Sequence, residues 1–106
     1  MSSREQRIAA NEAAFRDVNE RIARAGVSQT SPLEIICECG DADCLERIAV
    51  TAAEYERARA DPTLFIARTG HIKADVEHIV AEQGDHQLIR KTGDAAVVAE
   101  ERDPRS

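Results

Sequence analysis

All three cysteines of this 106-residue chain stand within eight residues, Cys37-Glu38-Cys39-Gly40-Asp41-Ala42-Asp43-Cys44. That crowding constrains the fold more than any other feature of the sequence. Thiols so spaced converge on one point when a turn folds the chain back on itself. Cys37 and Cys39 flank a single residue, so on an extended segment their side chains leave the same face. Gly40 permits the sharp reversal that follows, and Cys44 can return across it. Three thiolates fill three corners of a tetrahedron. The candidate for the fourth corner is His71, in Thr69-Gly70-His71, with Gly70 letting the backbone approach. Ligation by Cys37, Cys39, Cys44 and His71 would tie a strand end, a helix and the following loop into one unit.

The residue types leave several chemistries open. A structural zinc takes four soft ligands of this kind. An iron–sulfur cluster can use the same Cys3His set, because His can replace Cys on an iron. A disulfide between Cys44 and one of the other two would be thiol redox chemistry. Three small buried cysteines with no chemistry are the remaining alternative. His78 and His86 compete for the fourth position, although each reads in the first place as a solvated or hydrogen-bonded histidine. Glu38, Asp41, Asp43 and Glu46 read as solvated. If water held the fourth position, Glu38 or Glu46 could act as a base, as in catalytic zinc sites. There is no HExxH, no GxSxG, no phosphate-cradling glycine loop and no recognisable Ser/His/Asp set. The sequence therefore points to a non-enzymatic module.

The elements around this turn follow from periodicity and caps. Residues 4–25 form an amphipathic helix, with Ile8, Phe15, Val18 and Ile22 at spacings of seven, three and four. Glu12–Arg16, Asp17–Arg21 and Glu20–Arg24 are i,i+4 pairs, and Gly26 stops the helix. The seam Ile8, Asn11, Phe15, Val18 and Ile22 has heptad spacing with one polar position, as in a short coiled coil. It can pack on its own domain or bind a partner or a second copy. Residues 27–32 are a polar linker. Leu33-Glu34-Ile35-Ile36-Cys37 reads as a strand and Leu45 to Val50 as a second. Thr51-Ala52-Ala53-Glu54 is a capping box for a helix from Ala52 to about Ala60, ended by Asp61-Pro62. Leu64 to Ala67 is a brief apolar stretch leading to Gly70-His71. Val76 to Glu82 and Gln87 to Lys91 form a hairpin around Gln83-Gly84-Asp85-His86. Asp94 caps a last helix through Ala99. The expected fold is α+β: a small antiparallel sheet with an N-terminal amphipathic helix, a capped middle helix and a C-terminal helix. Residues 1–26 are the N-terminal helix, 33–101 the metal-binding domain and 102–106 a frayed tail.

Composition bounds the partners. Only Phe15, Tyr55 and Phe65 are aromatic, so the core is small and a metal staple would help a domain of this size. The net charge is −6; residues 1–30 net +1 and the rest about −7. Phosphate binding rests on Lys and Arg, so nucleic acid is an improbable partner. No apolar run approaches a membrane span and no signal peptide opens the chain. The expected address is the cytoplasm, where three thiols point to metal or redox chemistry over a disulfide framework.

The segments Cys37-Glu38-Cys39-Gly40-Asp41 with Cys44, Glu46-Arg47-Ile48, Thr51, Glu54-Tyr55-Glu56, Arg59-Ala60-Asp61-Pro62, Phe65 and Gly70-His71 together resemble a family of small uncharacterised bacterial proteins. Asn11-Glu12-Ala13, Phe15-Arg16 and Val18-Asn19-Glu20-Arg21-Ile22 extend the resemblance over almost the whole chain. It implies an association of the cysteine turn with the Gly-His pair and no particular activity. The residue before Gly70 is often proline in that family. Here it is Thr69, so a less rigid loop is expected to present His71.

Overall fold

The structure, a computed structural model, describes residues 3–25, 32–41, 43–71 and 77–105. Gly26, the linker up to Ser31 and Val76 lie outside the described residues. The chain forms α1 (Ser3–Ala25), β1 (Leu33–Ile36), β2 (Arg47–Val50), α2 (Ala52–Arg59), β3 (Leu64–Arg68), β4 (Glu77–Gln83), β5 (His86–Lys91) and α3 (Gly93–Glu101). This is the α+β class, and its strands divide between two small antiparallel sheets. β1 pairs with β2, Leu33 opposite Val50 and Ile36 opposite Arg47. The second sheet has the order β3-β5-β4. A bulge between Ile79 and Ala81 interrupts the β4–β5 register.

Local chemistry explains most of these elements. In β1 and β2 the alternate residues Leu33, Ile35, Ile48 and Val50 are buried, as a half-covered sheet requires. The capping box of α2 is complete: the Glu54 amide donates to Thr51 Oγ1 at 3.0 Å, and the Thr51 amide to Glu54 Oε1 at 3.4 Å. The run Leu64 to Ala67 is buried at every position and is a full strand. α3 starts at Gly93 with Thr92 as its N-cap and no side-chain cap bond; Asp94 lies in its first turn and is not the cap.

Helix α1 is rotated from the face its apolar residues mark. Its buried stripe is Ile8, Ala9, Glu12, Ala13, Arg16, Asn19 and Glu20, while Val18 is exposed. Of the seam residues, Ile8 packs on Gly40, the Asn11 amide donates to Gly40 O at 3.0 Å, and Ile22 leans on the main core. Phe15 is half-buried. The charged residues tolerate burial because each reaches a partner across the fold. Arg16 donates to Pro62 O at 2.7 Å and to Ala99 O at 2.8 Å, lying over the Phe65 ring. Glu12 and Glu77 both face Lys91. Glu20 pairs with Arg105, which also reaches Glu56. Glu12, Arg16 and Glu20 therefore act through long-range partners, not as a ladder of surface pairs. Arg105, in the expected frayed tail, is anchored on α1 and α2.

The core joins both sheets to the helices: Leu33, Ile35, Ile48, Val50, Tyr55, Ala58, Phe65, Ile66, Ala67, Ile89 and Ala99. Cys37 and Cys39 belong to it. No described helix is long and apolar enough to cross a membrane.

Candidate metal centre

The cysteine turn sits where the two sheets meet. Beyond the end of β1, the Cys37 amide donates to Glu46 O at 2.8 Å, continuing the pairing toward β2. One residue later the Glu38 amide donates to Ile66 O at 2.8 Å, on the edge of β3 that β5 leaves open. The chain thus changes partner sheet between Cys37 and Glu38. The alternation of an extended segment then separates the side chains. Cys37 and Cys39 face the site, and Glu38 faces the interior.

Glu38 is fully buried, contrary to its expected solvation. Its carboxylate accepts from Arg59 Nη2 at 2.7 Å, Asn19 Nδ2 at 2.8 Å and the Ile66 amide at 2.9 Å. Asn19 also clasps the backbone of Ile36, donating to its carbonyl and accepting from its amide, both at 2.8 Å. These bonds fix the turn to α1, α2 and β3. They also hold Glu38 away from the sulfurs, which removes it as a base at the site. At the next position α1 closes in. A Cβ built on Gly40 would lie 2.4 Å from Ile8 Cγ2, so only glycine fits beneath the helix. Asp41 then shapes the return. Its carbonyl accepts from the Cys44 amide at 3.1 Å and its Oδ1 from the Asp43 amide at 2.9 Å.

His71 arrives from the end of β3. Its amide donates to Arg68 O at 3.0 Å across the turn Thr69-Gly70, and Gly70 takes a φ of 90°, a conformation that favours glycine. The donor atoms of Cys37, Cys39, Cys44 and His71 all lie within 4.8 Å of one another. His71 Nδ1 is 3.5 Å from Cys37 Sγ and 3.7 Å from Cys44 Sγ. On the far side of the ring, Nε2 is 3.2 Å from Glu46 Oε2. His86 is engaged elsewhere, with Nε2 on Glu54 at 3.2 Å and Nδ1 on Asp85 at 3.0 Å. His78 is exposed on β4. Neither competitor joins the cluster.

The electrostatics of the cluster favour a cation. The Arg68 amide donates to Cys37 Sγ at 3.2 Å, and the backbone at Asp41 and Glu46 acts to lower the Cys39 and Cys44 thiols. Such bonds stabilise thiolates. A hydrogen bond from Cys37 pulls the Cys39 thiol down to about 5, against the effect of burial. Its partner is pushed the other way: the bond to Cys39, then burial, raises the Cys37 thiol. Burial also raises Cys44, which is half-buried. Three sulfurs this close cannot all ionise beside one another. A divalent cation among them removes that conflict and deprotonates coordinating thiols outright. The four residues are therefore compatible with a bound metal ion.

The spacing of the cysteines and the downstream Gly-His singled out the four residues that the fold brings together. Glu38, Asn19, Arg59 and Glu46 went unrecognised as parts of the support. One signal for Glu38 was available: if both cysteines of Cys-x-Cys face a metal, the residue between them faces the opposite way. Comparison with protein-family models, curated proteins and solved structures finds no match to this chain.

Proposed function

We propose that this chain is a small structural-zinc module, acting as a protein-interaction or regulatory unit with no catalytic activity of its own. The convergence of Cys37, Cys39, Cys44 and His71 carries the proposal. With zinc bonds of about 2.3 Å to sulfur and 2.0 Å to nitrogen, tetrahedral geometry separates a sulfur and a nitrogen by roughly 3.5 Å. The separations of 3.5 and 3.7 Å from His71 Nδ1 match that spacing. Four protein donors close the coordination sphere, the pattern of structural sites; catalytic sites keep a position open. A single compact set also suits one ion better than a two-iron cluster, whose donors divide between two metals. At the junction of the sheets, the metal would lock the end of β1, the start of β2 and the end of β3 together. Protein partners or a second copy fit the acidic chain better than nucleic acid, and a thiolate site suits the reducing cytoplasm.

The test is substitution of one donor at a time. Cys44→Ala and His71→Ala are expected to lower zinc content and melting temperature together. Full stability of metal-free wild-type protein would sink the proposal. The half-buried Cys44 supports a second reading, in which the same donors hold a releasable zinc or an iron–sulfur cluster as a redox sensor. Visible absorbance after anaerobic purification would favour the cluster. Unchanged fold and thiol content after peroxide treatment would eliminate the switch.

A further inference from the structure

We infer that Glu46 is the positioning carboxylate of this centre, setting His71 so that Nδ1 is the donor atom and governing how firmly the metal is held. The inference rests on the metal-binding reading above.

A neutral imidazole carries one N–H and one lone pair. Glu46 Oε2 stands 3.2 Å from Nε2, close enough to favour the tautomer with its N–H there. The lone pair is left on Nδ1, which faces Cys37 and Cys44. Carboxylates in this role orient a ligating histidine and raise its basicity. Glu46 is itself steered. Arg68 Nε lies 3.4 Å from the same Oε2, and its Nη1 reaches Arg47 O at 3.2 Å and Asp85 Oδ2 at 3.8 Å. Arg68 thus serves two ligands, through its amide on Cys37 and its guanidinium on the carboxylate that holds His71.

The brace matters because His71 is the corner least secured by the fold. Cys37 and Cys39 lie in the core, whereas the His71 side chain is 32% exposed and follows a turn through Gly70. Glu46 is 52% exposed, so its ion pairs contribute little to folding. Its influence belongs in metal retention, which separates a positioning role from a structural one.

The experiment is zinc affinity, measured by competition with a chelator of known strength, together with the absorption spectrum of the cobalt-substituted protein. Glu46→Ala is expected to weaken zinc binding about 10- to 100-fold. It should also alter the cobalt bands and leave the unfolding curve of the metal-free protein unchanged. Glu46→Gln, whose amide oxygen still accepts from Nε2–H, should recover much of the affinity. In a His71→Ala background, Glu46→Ala should add less than twofold. An unaltered affinity and cobalt spectrum in Glu46→Ala, or an equal loss with His71 absent, overturns the inference while leaving the metal centre standing. Wild-type protein that takes up neither metal overturns the centre and the inference together.

Discussion

Replacing Glu38 with alanine removes the acceptor around which the cysteine turn is built. Three buried donors lose a partner: Arg59 Nη2, Asn19 Nδ2 and the Ile66 amide. The Arg59 side chain is 1% exposed, so its charge would stand in the core without a counter-ion. Breaking a buried pair from one side costs about 3–5 kcal/mol, and each orphaned donor about 1–3 kcal/mol more. Some of that loss is recovered locally. Asn19 keeps the Ile36 carbonyl, and Arg59 keeps Leu64 O at 3.5 Å and the Tyr55 ring at 5.0 Å. A net loss of about 4–6 kcal/mol is expected, against the roughly 5–15 kcal/mol typical of a whole domain. Urea unfolding of the metal-free protein, followed by circular dichroism and linearly extrapolated, measures it. The double variant Glu38→Met/Arg59→Met should regain most of the stability, because removing both charges leaves neither stranded. A loss below about 1 kcal/mol for Glu38→Ala would refute the reasoning, since that is what a solvated surface carboxylate gives.

Three further outcomes follow from the buried groups. Burial pushes the Glu12 carboxyl up to about 9 from its ordinary 4.5, opposed by Lys91 and reinforced by Glu77. A folded value above the unfolded one means that its stabilisation is complete below pH 4.5 and is lost as the pH rises through about 9. Glu12→Gln should flatten that decline in unfolding free energy, measured from about pH 5 to about pH 9.5. Gly40→Ala drives a methyl group to 2.4 Å from Ile8 Cγ2 and should cost about 1–3 kcal/mol in chemical denaturation, with α1 displaced from the turn. The Tyr55 hydroxyl is buried with no hydrogen-bond partner among the described residues, so Tyr55→Phe should be neutral or stabilising by up to about 1 kcal/mol in the same assay.

What the sequence could reveal depended on whether the signal was local. The capping box of α2 lies within four residues, and both its bonds form. The β4–β5 hairpin turns at Gly84, and the cysteine spacing brought three donors together across one turn. β3 was harder to recognise. Its residues are buried on both faces, so no alternation marks it as a strand. The rotation of α1 was hidden for a different reason. Glu12, Arg16, Asn19 and Glu20 carry polar side chains that sequence patterns assign to water. Their partners are Lys91, Ala99, Glu38 and Arg105, between 19 and 85 residues away. Burial of a polar side chain is legible only once its partner across the fold has been placed.

The most direct test is elemental analysis of protein purified under reducing conditions, with its melting curve recorded before and after chelation. A structural zinc held by Cys37, Cys39, Cys44 and His71 predicts one zinc per chain. Stripping it should lower Tm by at least about 10 °C, since metal binding of this kind is linked to folding. Protein that carries no zinc and melts at the same temperature with or without chelator would contradict it.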